Sequence, residues 1–142
     1  MNPTIEKFGY PATLVHDLQH WAVLVRPAQV TLGSLVLAAK SDATAYSDLP
    51  VEAFTEQRAA VQAIERVLAA VVRYERINYL MLMMVDPNVH FHVIPRYSKA
   101  RQWKGLEFPD AGWPGPPKLD SGRALSPTQI AEFALELASN FD

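Results

Sequence analysis

The chain is 142 residues long, with 13 Lys+Arg against 15 Asp+Glu, a formal charge of -2, 49% hydrophobic residues and no cysteine. That length suits a single domain over residues 1–142, which buries roughly 68–70% of the surface of its unfolded form and so completes a core without a disulfide or structural metal. The missing cysteine excludes disulfide scaffolds, thiolate metal sites and cysteine nucleophiles, and the near-neutral balance argues against a binder of nucleic-acid polymers or anionic membranes.

Residues Met1 to Tyr10 hold no cationic stretch followed by an apolar block, so they do not read as a signal peptide. The longest apolar run, Tyr79 to Val85, falls far short of the ~20 residues of a membrane-spanning helix, and a cytoplasmic protein is expected. Thr13 to His20 is expected to form a short helix. Trp21 to Val25 then reads as a buried strand stopped by Arg26-Pro27, and Leu35 to Ala39 as a second strand after the turn at Thr31-Leu-Gly33-Ser34. From Pro50 to about Glu75 the apolar residues Phe54, Val61, Ile64, Leu68, Val71 and Val72 recur at helical steps, which predicts one long amphipathic helix. Pro50 itself suits the first turn, where its missing N–H would be unpaired anyway.

Ile77 to Val85 and Val89 to Tyr97 read as two further strands, joined by a tight turn at Asp86-Pro87-Asn88. Residues 98–125 carry four of the six glycines and two of the three tryptophans with no sustained period, which predicts an irregular arm outside a core of about residues 13–97. Trp103 and Trp113 favour an ordered arm, either packed or stacking on a base or a partner subunit. Ser126-Pro127-Thr128-Gln129 resembles a capping box, and Ile130, Phe133, Ala134 and Leu137 mark the apolar face of a closing helix over 126–139.

Chemistry is concentrated in Asp86-Pro-Asn88-Val-His90-Phe-His92-Val-Ile-Pro95-Arg96-Tyr97. Strand alternation puts His90 and His92 on one face, roughly 6.6 Å apart, and Val89, Phe91 and Val93 on the other. A lone strand histidine is usually structural, but two at this spacing beside a basic cluster point to chemistry. Asn88 to Arg96 resembles the signature of the histidine triad superfamily, in which three histidines alternate with apolar residues. Its Pro95-Arg96 continuation is similar to the branch of fragile histidine triad and diadenosine polyphosphate hydrolases. The resemblance extends over about residues 20–97, through Thr31-Leu-Gly33-Ser34 and through Ser47-Asp48-Leu49 before the long helix.

The resemblance implies an α+β fold with an antiparallel five-stranded sheet, one long helix and a C-terminal helix, paired in a homodimer. It implies a nucleotidyl hydrolase or transferase that cleaves at the α-phosphate of a dinucleoside polyphosphate or related nucleotide conjugate. His90 would be the nucleophile, forming a covalent nucleotidyl-histidine, and His92 would hold the phosphate oxygens. Arg26, Arg96, Lys99, Arg101 and Lys104 are candidate cations for a polyphosphate. No cofactor is required, although magnesium would accompany the phosphates of such a substrate.

Asn88 stands where the first histidine of the triad would be, and its amide supplies some of the hydrogen bonds of an imidazole; it is also a good turn residue. Ser34 replaces a further histidine of the second strand and is a candidate substrate contact. These departures support an alternative, a nucleotide-binding or sensing protein with little turnover. A second alternative is a metal-dependent hydrolase: His16 and His20 would share a helix face and meet His90 and His92 in a four-imidazole site.

Overall fold

The computed structural model describes all residues, 1–142. In chain order the elements are α1 (Pro3–Lys7), β1 (Leu14–Asp17), β2 (Trp21–Val25), β3 (Ala28–Gln29), β4 (Leu35–Ala39), a 3₁₀ turn (Tyr46–Asp48) and α2 (Val51–Val71). They continue with β5 (Arg76–Leu80), β6 (His90–Arg96), β7 (Arg101–Trp103), β8 (Leu106–Phe108), a second 3₁₀ turn (Leu119–Ser121), β9 (Arg123–Ala124) and α3 (Pro127–Phe141).

Five strands form one antiparallel sheet in the order β1-β2-β4-β6-β5. Trp21 to Val25 and Leu35 to Ala39 pair without a break and are buried throughout, as their uninterrupted apolar sequences anticipate. Both faces of the sheet are covered. On one face α2 and α3 close the larger core, setting Ala60, Ile64, Val67 and Leu68, with Phe133, Leu137 and Phe141, against Trp21, Val23, Leu35, Leu37 and Val93. The Trp21 indole also donates to the Ala53 carbonyl at 2.7 Å, tying β2 to α2. On the other face Ile5 of α1 is fully buried against Ala22, Leu24, Val36 and Ala38; burying such a side chain stabilises by roughly 2 kcal/mol.

Residues 14–17 form an edge strand, where the sequence predicted a helix over Thr13 to His20. Leu14 and Leu18 have helical spacing, but Leu14-Val15-His16 gains more by pairing with β2 through a bulge and burying Val15. α2 stops at Val71 rather than near Glu75, because Arg73 adopts a left-handed conformation (φ 55) and its N–H bonds back to the Leu68 carbonyl. β5 ends at Leu80, not Val85, and the expected tight turn is part of a longer connection over residues 81–89.

The arm is ordered and partly regular. β7 and β8 form a hairpin closed by Lys104 and Gly105, both at positive φ (49 and 78), the geometry of a type I′ turn. Trp103 packs on Phe133 at 5.0 Å and donates to Glu136 at 3.0 Å, and β9 pairs with β3. The Ser126 capping box forms as read, its Oγ accepting from the Gln129 N–H. No helix is long and apolar enough to cross a membrane.

Candidate active site

The alternation of β6 turns His90 and His92 to the face away from α2 and α3, opposite Ala38 and Val36 of β4. The two rings meet edge to face with centroids 5.1 Å apart and are 2% and 7% exposed. Phe8, just after α1, lies 5.7 Å from the His90 ring and 5.6 Å from that of His92. On their open side both rings line a cavity of about 170 Å³, walled otherwise by Leu82, Met83, Met84, Val85 and Asp86.

Hydrogen bonds decide which nitrogens carry protons. His90 Nδ1 lies 2.7 Å from the Asn88 carbonyl oxygen, which can only accept, so Nδ1 donates and Nε2 keeps a free lone pair. His92 Nδ1 accepts from Arg26 Nε at 3.4 Å; a guanidinium can only donate, so the neutral His92 ring carries its proton on Nε2. Burial, then Arg26, then His90 push His92 down to about 4, so it is neutral at pH 7. One ring thus offers a nucleophilic nitrogen and its neighbour an N–H donor.

Asn88, 5% exposed, sits beside this pair, but its side chain turns to the N-terminal segment. Its Oδ1 accepts from Thr4 Oγ1 at 2.9 Å, its backbone N–H donates to the same hydroxyl at 3.3 Å, and its Nδ2 donates to the Asp42 carbonyl at 3.1 Å. Asn2 anchors the same segment, its Nδ2 donating to the Ala39 and Ser41 carbonyls while its Oδ1 caps the Ile5 N–H. Lys7 pairs with Asp86 at 2.7 Å across the cavity rim. α1 is therefore fastened over the histidine face, and Asn88 is one of its fastenings.

No family model matches the sequence, and no curated protein matches it either. Solved structures do match in shape. A histidine triad protein from Bradyrhizobium japonicum shares the fold at a TM-score of 0.73 and 19% identity, over 100% of this chain and 97% of its own. One from Sinorhizobium meliloti matches at 0.72 and 18%, over 99% and 95%. A diadenosine triphosphate hydrolase from Plasmodium falciparum, solved with cyclomarin A, matches at 0.66 and 13%, over 96% and 92%. The chain has the histidine triad fold.

Within that fold the structure separates the remaining candidates from the histidines. Arg96, 4% exposed, is consumed in holding the arm: Nε and Nη2 grip both oxygens of Asp110 at 2.7 and 3.1 Å, Nη2 also donates to the Gly115 carbonyl, and Nη1 donates to Asn78. Arg101 caps the end of α2 through the Val72 and Arg73 carbonyls, and Lys104 pairs with Glu132 at 3.0 Å. The expected cationic cradle downstream of β6 is thus dispersed, and Arg26 alone of these arginines touches a site histidine. Ser34 is fully buried, its hydroxyl donating to the Thr31 carbonyl at 2.8 Å within the turn, and it is not part of the cavity wall.

The four histidines do not converge. His16 pairs with Val23 on the α2/α3 face and stacks on Phe141 at 4.7 Å, and the His20 N–H donates to Glu56 of α2, whereas His92 pairs with Val36 on the opposite face, so the sheet separates His16 from His92 and no metal-ligand cluster forms. Sequence reasoning missed Thr4, Phe8 and the cavity wall Leu82 to Asp86. Asn2-Pro3 was an available signal for α1, since Asn is a preferred cap and Pro a preferred first residue.

Proposed function

We propose that this chain is a nucleotidyl hydrolase or transferase acting on a nucleoside phosphate conjugate, with dinucleoside polyphosphates such as diadenosine triphosphate the first substrates to test. The observation that carries the reading is the complementary protonation of the two rings, a lone pair on His90 Nε2 beside an N–H on His92 Nε2.

In this mechanism His90 Nε2 attacks the α-phosphorus and forms a P–N bond as the bond to the leaving group breaks; the leaving group departs with the electron pair and takes up a proton from solvent. His92 Nε2–H donates to a non-bridging oxygen as charge develops on it, and Arg26 holds the ring so that this N–H faces outward. Water then attacks the phosphorus, the P–N bond breaks, and a nucleoside monophosphate leaves with His90 restored. Asn88 contributes its backbone carbonyl, which fixes the His90 tautomer, rather than its amide. Magnesium, where present, arrives on the substrate phosphates. The reading includes a homodimer: β5 leaves one sheet edge unpaired beside the exposed Leu82, Met84 and Val85, features that support pairing with a second copy.

Early quenching after mixing with labelled diadenosine polyphosphates or nucleoside phosphoramidates should trap nucleotide mass on His90. His90→Ala should abolish product while retaining most nucleotide affinity; equal activity in that variant overturns the mechanism. A second reading, nucleotide binding with little turnover, is favoured by the depth of the rings beneath Phe8. Saturable binding without phosphate release over a long incubation decides for it.

A further inference from the structure

We infer that the cavity at the C-terminal end of α2, about 650 Å³, binds the diphosphate or longer phosphate chain of a small molecule on Arg73, Lys99 and Arg101. Its volume lies in the range of small-molecule sites. It sits between the turn before β4, the end of α2 and the segment 99–102 that enters β7. None of its walls belongs to β5 or to residues 82–85, so pairing of that edge with a second copy uses other residues. Arg101 lies over the Tyr97 ring at 4.6 Å, and Tyr97 packs in the core beneath α2, which places the cavity on the face of the sheet opposite His90 and His92.

One guanidinium sets the position of all three cations. Arg101 donates from Nε to the Val72 carbonyl at 2.8 Å, from Nη1 to the Lys99 carbonyl at 2.6 Å and from Nη2 to the Arg73 carbonyl at 2.7 Å. Its planar fork therefore spans the two residues that carry the other charges, and holds their carbonyl oxygens within about 8 Å of each other. Arginine and lysine side chains rooted that close reach one ligand together. The same bonds satisfy carbonyls at the end of α2 and offset the negative end of its dipole, so the helix does not repel an anion there. Arg101 has five N–H groups and spends three, which leaves two for a ligand.

No carboxylate in contact neutralises this cluster. The chain's ion pairs are Lys7–Asp86, Lys40–Asp17, Arg96–Asp110 and Lys104–Glu132, and the exposed Arg73 and Lys99 are held only through their carbonyls. Glu75, which feels the charges of Arg101 and Arg76, is engaged by the N–H and hydroxyl of Ser98 at 2.8 and 2.7 Å and lies outside the cavity wall. The floor is apolar, formed by Leu32, Val71, Val72 and Ala100, and a low-dielectric wall behind charges of one sign concentrates their field on the open side. A diphosphate places oxygens on both arginines and on the Lys99 ammonium at once, whereas a single phosphate leaves a cation unmatched. Lys99 and Arg101 were candidate phosphate ligands from sequence; the fold gathers them with Arg73 instead of with the histidines.

The inference is independent of histidine chemistry. Pyrophosphate, inorganic phosphate and a tetraglutamate peptide are titrated into the isotope-labelled full chain in magnesium-free buffer, and the Gln102 side-chain amide in the cavity wall is followed by NMR. Pyrophosphate should shift that signal saturably and bind about fivefold tighter than inorganic phosphate, the worth of one further exposed ion pair. Arg73→Gln and Lys99→Gln should each weaken pyrophosphate about fivefold, and both variants keep the fold because these side chains are exposed. No saturable shift of Gln102, unchanged affinity in both variants, or a peptide that binds as tightly as pyrophosphate each overturns the inference. A chain that meets these expectations but traps no nucleotide on His90 upholds this site and refutes the histidine mechanism.

Discussion

Replacing Arg26 with alanine should raise the His92 pKa, and with it flatten the pH dependence of stability on the acid side of neutrality. In the folded chain His92 is held near 4, mostly by burial and next by the charge of Arg26, against an ordinary value of 6.5. Between those two pH values the unfolded chain binds a proton on this residue that the folded chain does not, so the stability it contributes is complete above 6.5 and is lost as pH falls towards 4. At about 1.4 kcal/mol per pH unit the gap sets an upper bound of roughly 3 kcal/mol, reduced by the screening that solvent in the adjoining cavity gives the ring. Denaturant unfolding from pH 7.5 to 4.5 in wild type and His92→Gln isolates this contribution, and NMR titration of the His92 ring gives the pKa directly. Arg26→Ala removes the neighbouring cation and admits water, so the ring should titrate closer to neutrality and the loss on acidification should shrink. A wild-type His92 that titrates near 6.5, or one whose pKa is unmoved by Arg26→Ala, would refute the account of how its Nε2 proton is held at pH 7.

Asn88→Ala should cost about 2–3 kcal/mol, because the buried Thr4 hydroxyl and Asp42 carbonyl each lose a partner. The same change should speed carbethoxylation of His90 by loosening α1, and unchanged reactivity would show that Asn88 does not fasten the segment. Asp110→Ala leaves the Arg96 guanidinium buried without its counter-charge, an expected loss of about 3–5 kcal/mol, with proteolytic nicking of residues 109–118 as the second readout. Gly33→Ala should destabilise by about 2–4 kcal/mol, since Gly33 has φ +90 and a Cβ there would meet Val72 Cγ2 at 2.8 Å and Leu68 Cδ2 at 3.0 Å; thermal melts check it.

The long helix, the paired central strands, the shared face of His90 and His92 and the Ser126 cap were legible because each is written in local spacing: a helical or two-residue period, or a cap three residues from its partner. What was not legible is decided across long separations. Residues 14–17 become a strand because β2 offers an edge, and the chain leaves the sheet after Leu80 so that Leu82 to Asp86 wall a cavity that no periodicity announces. The arm resembled an irregular loop, yet the positive φ of Lys104 turns it into a hairpin, a conformation that glycine signals and lysine does not.

Site residues follow the same division, with a consequence for substrate choice. Histidine identity and spacing fixed which rings would meet, but the partner of each cation lies elsewhere in the chain: Asp110 for Arg96, the end of α2 for Arg101, Glu132 for Lys104. A run of positive residues after a strand therefore read as a polyphosphate cradle although Arg96, Arg101 and Lys104 are engaged within the chain and the exposed Lys99 side chain is left without a partner. At the histidines there remain Arg26, bound to His92 and to the Ala28 carbonyl, and Lys7, paired with Asp86 on the segment that covers the rings. On the proposed reading, a polyanionic substrate gains a second cation beside Arg26 by drawing Lys7 away from Asp86, an exchange that would also release one fastening of α1. If binding charge and uncovering His90 are coupled in this way, turnover should rise more steeply with the number of substrate phosphates than the single arginine beside His92 would allow. Lys7→Ala should erase that dependence, and a steep dependence that persists in the variant would show that the phosphates are held by other groups.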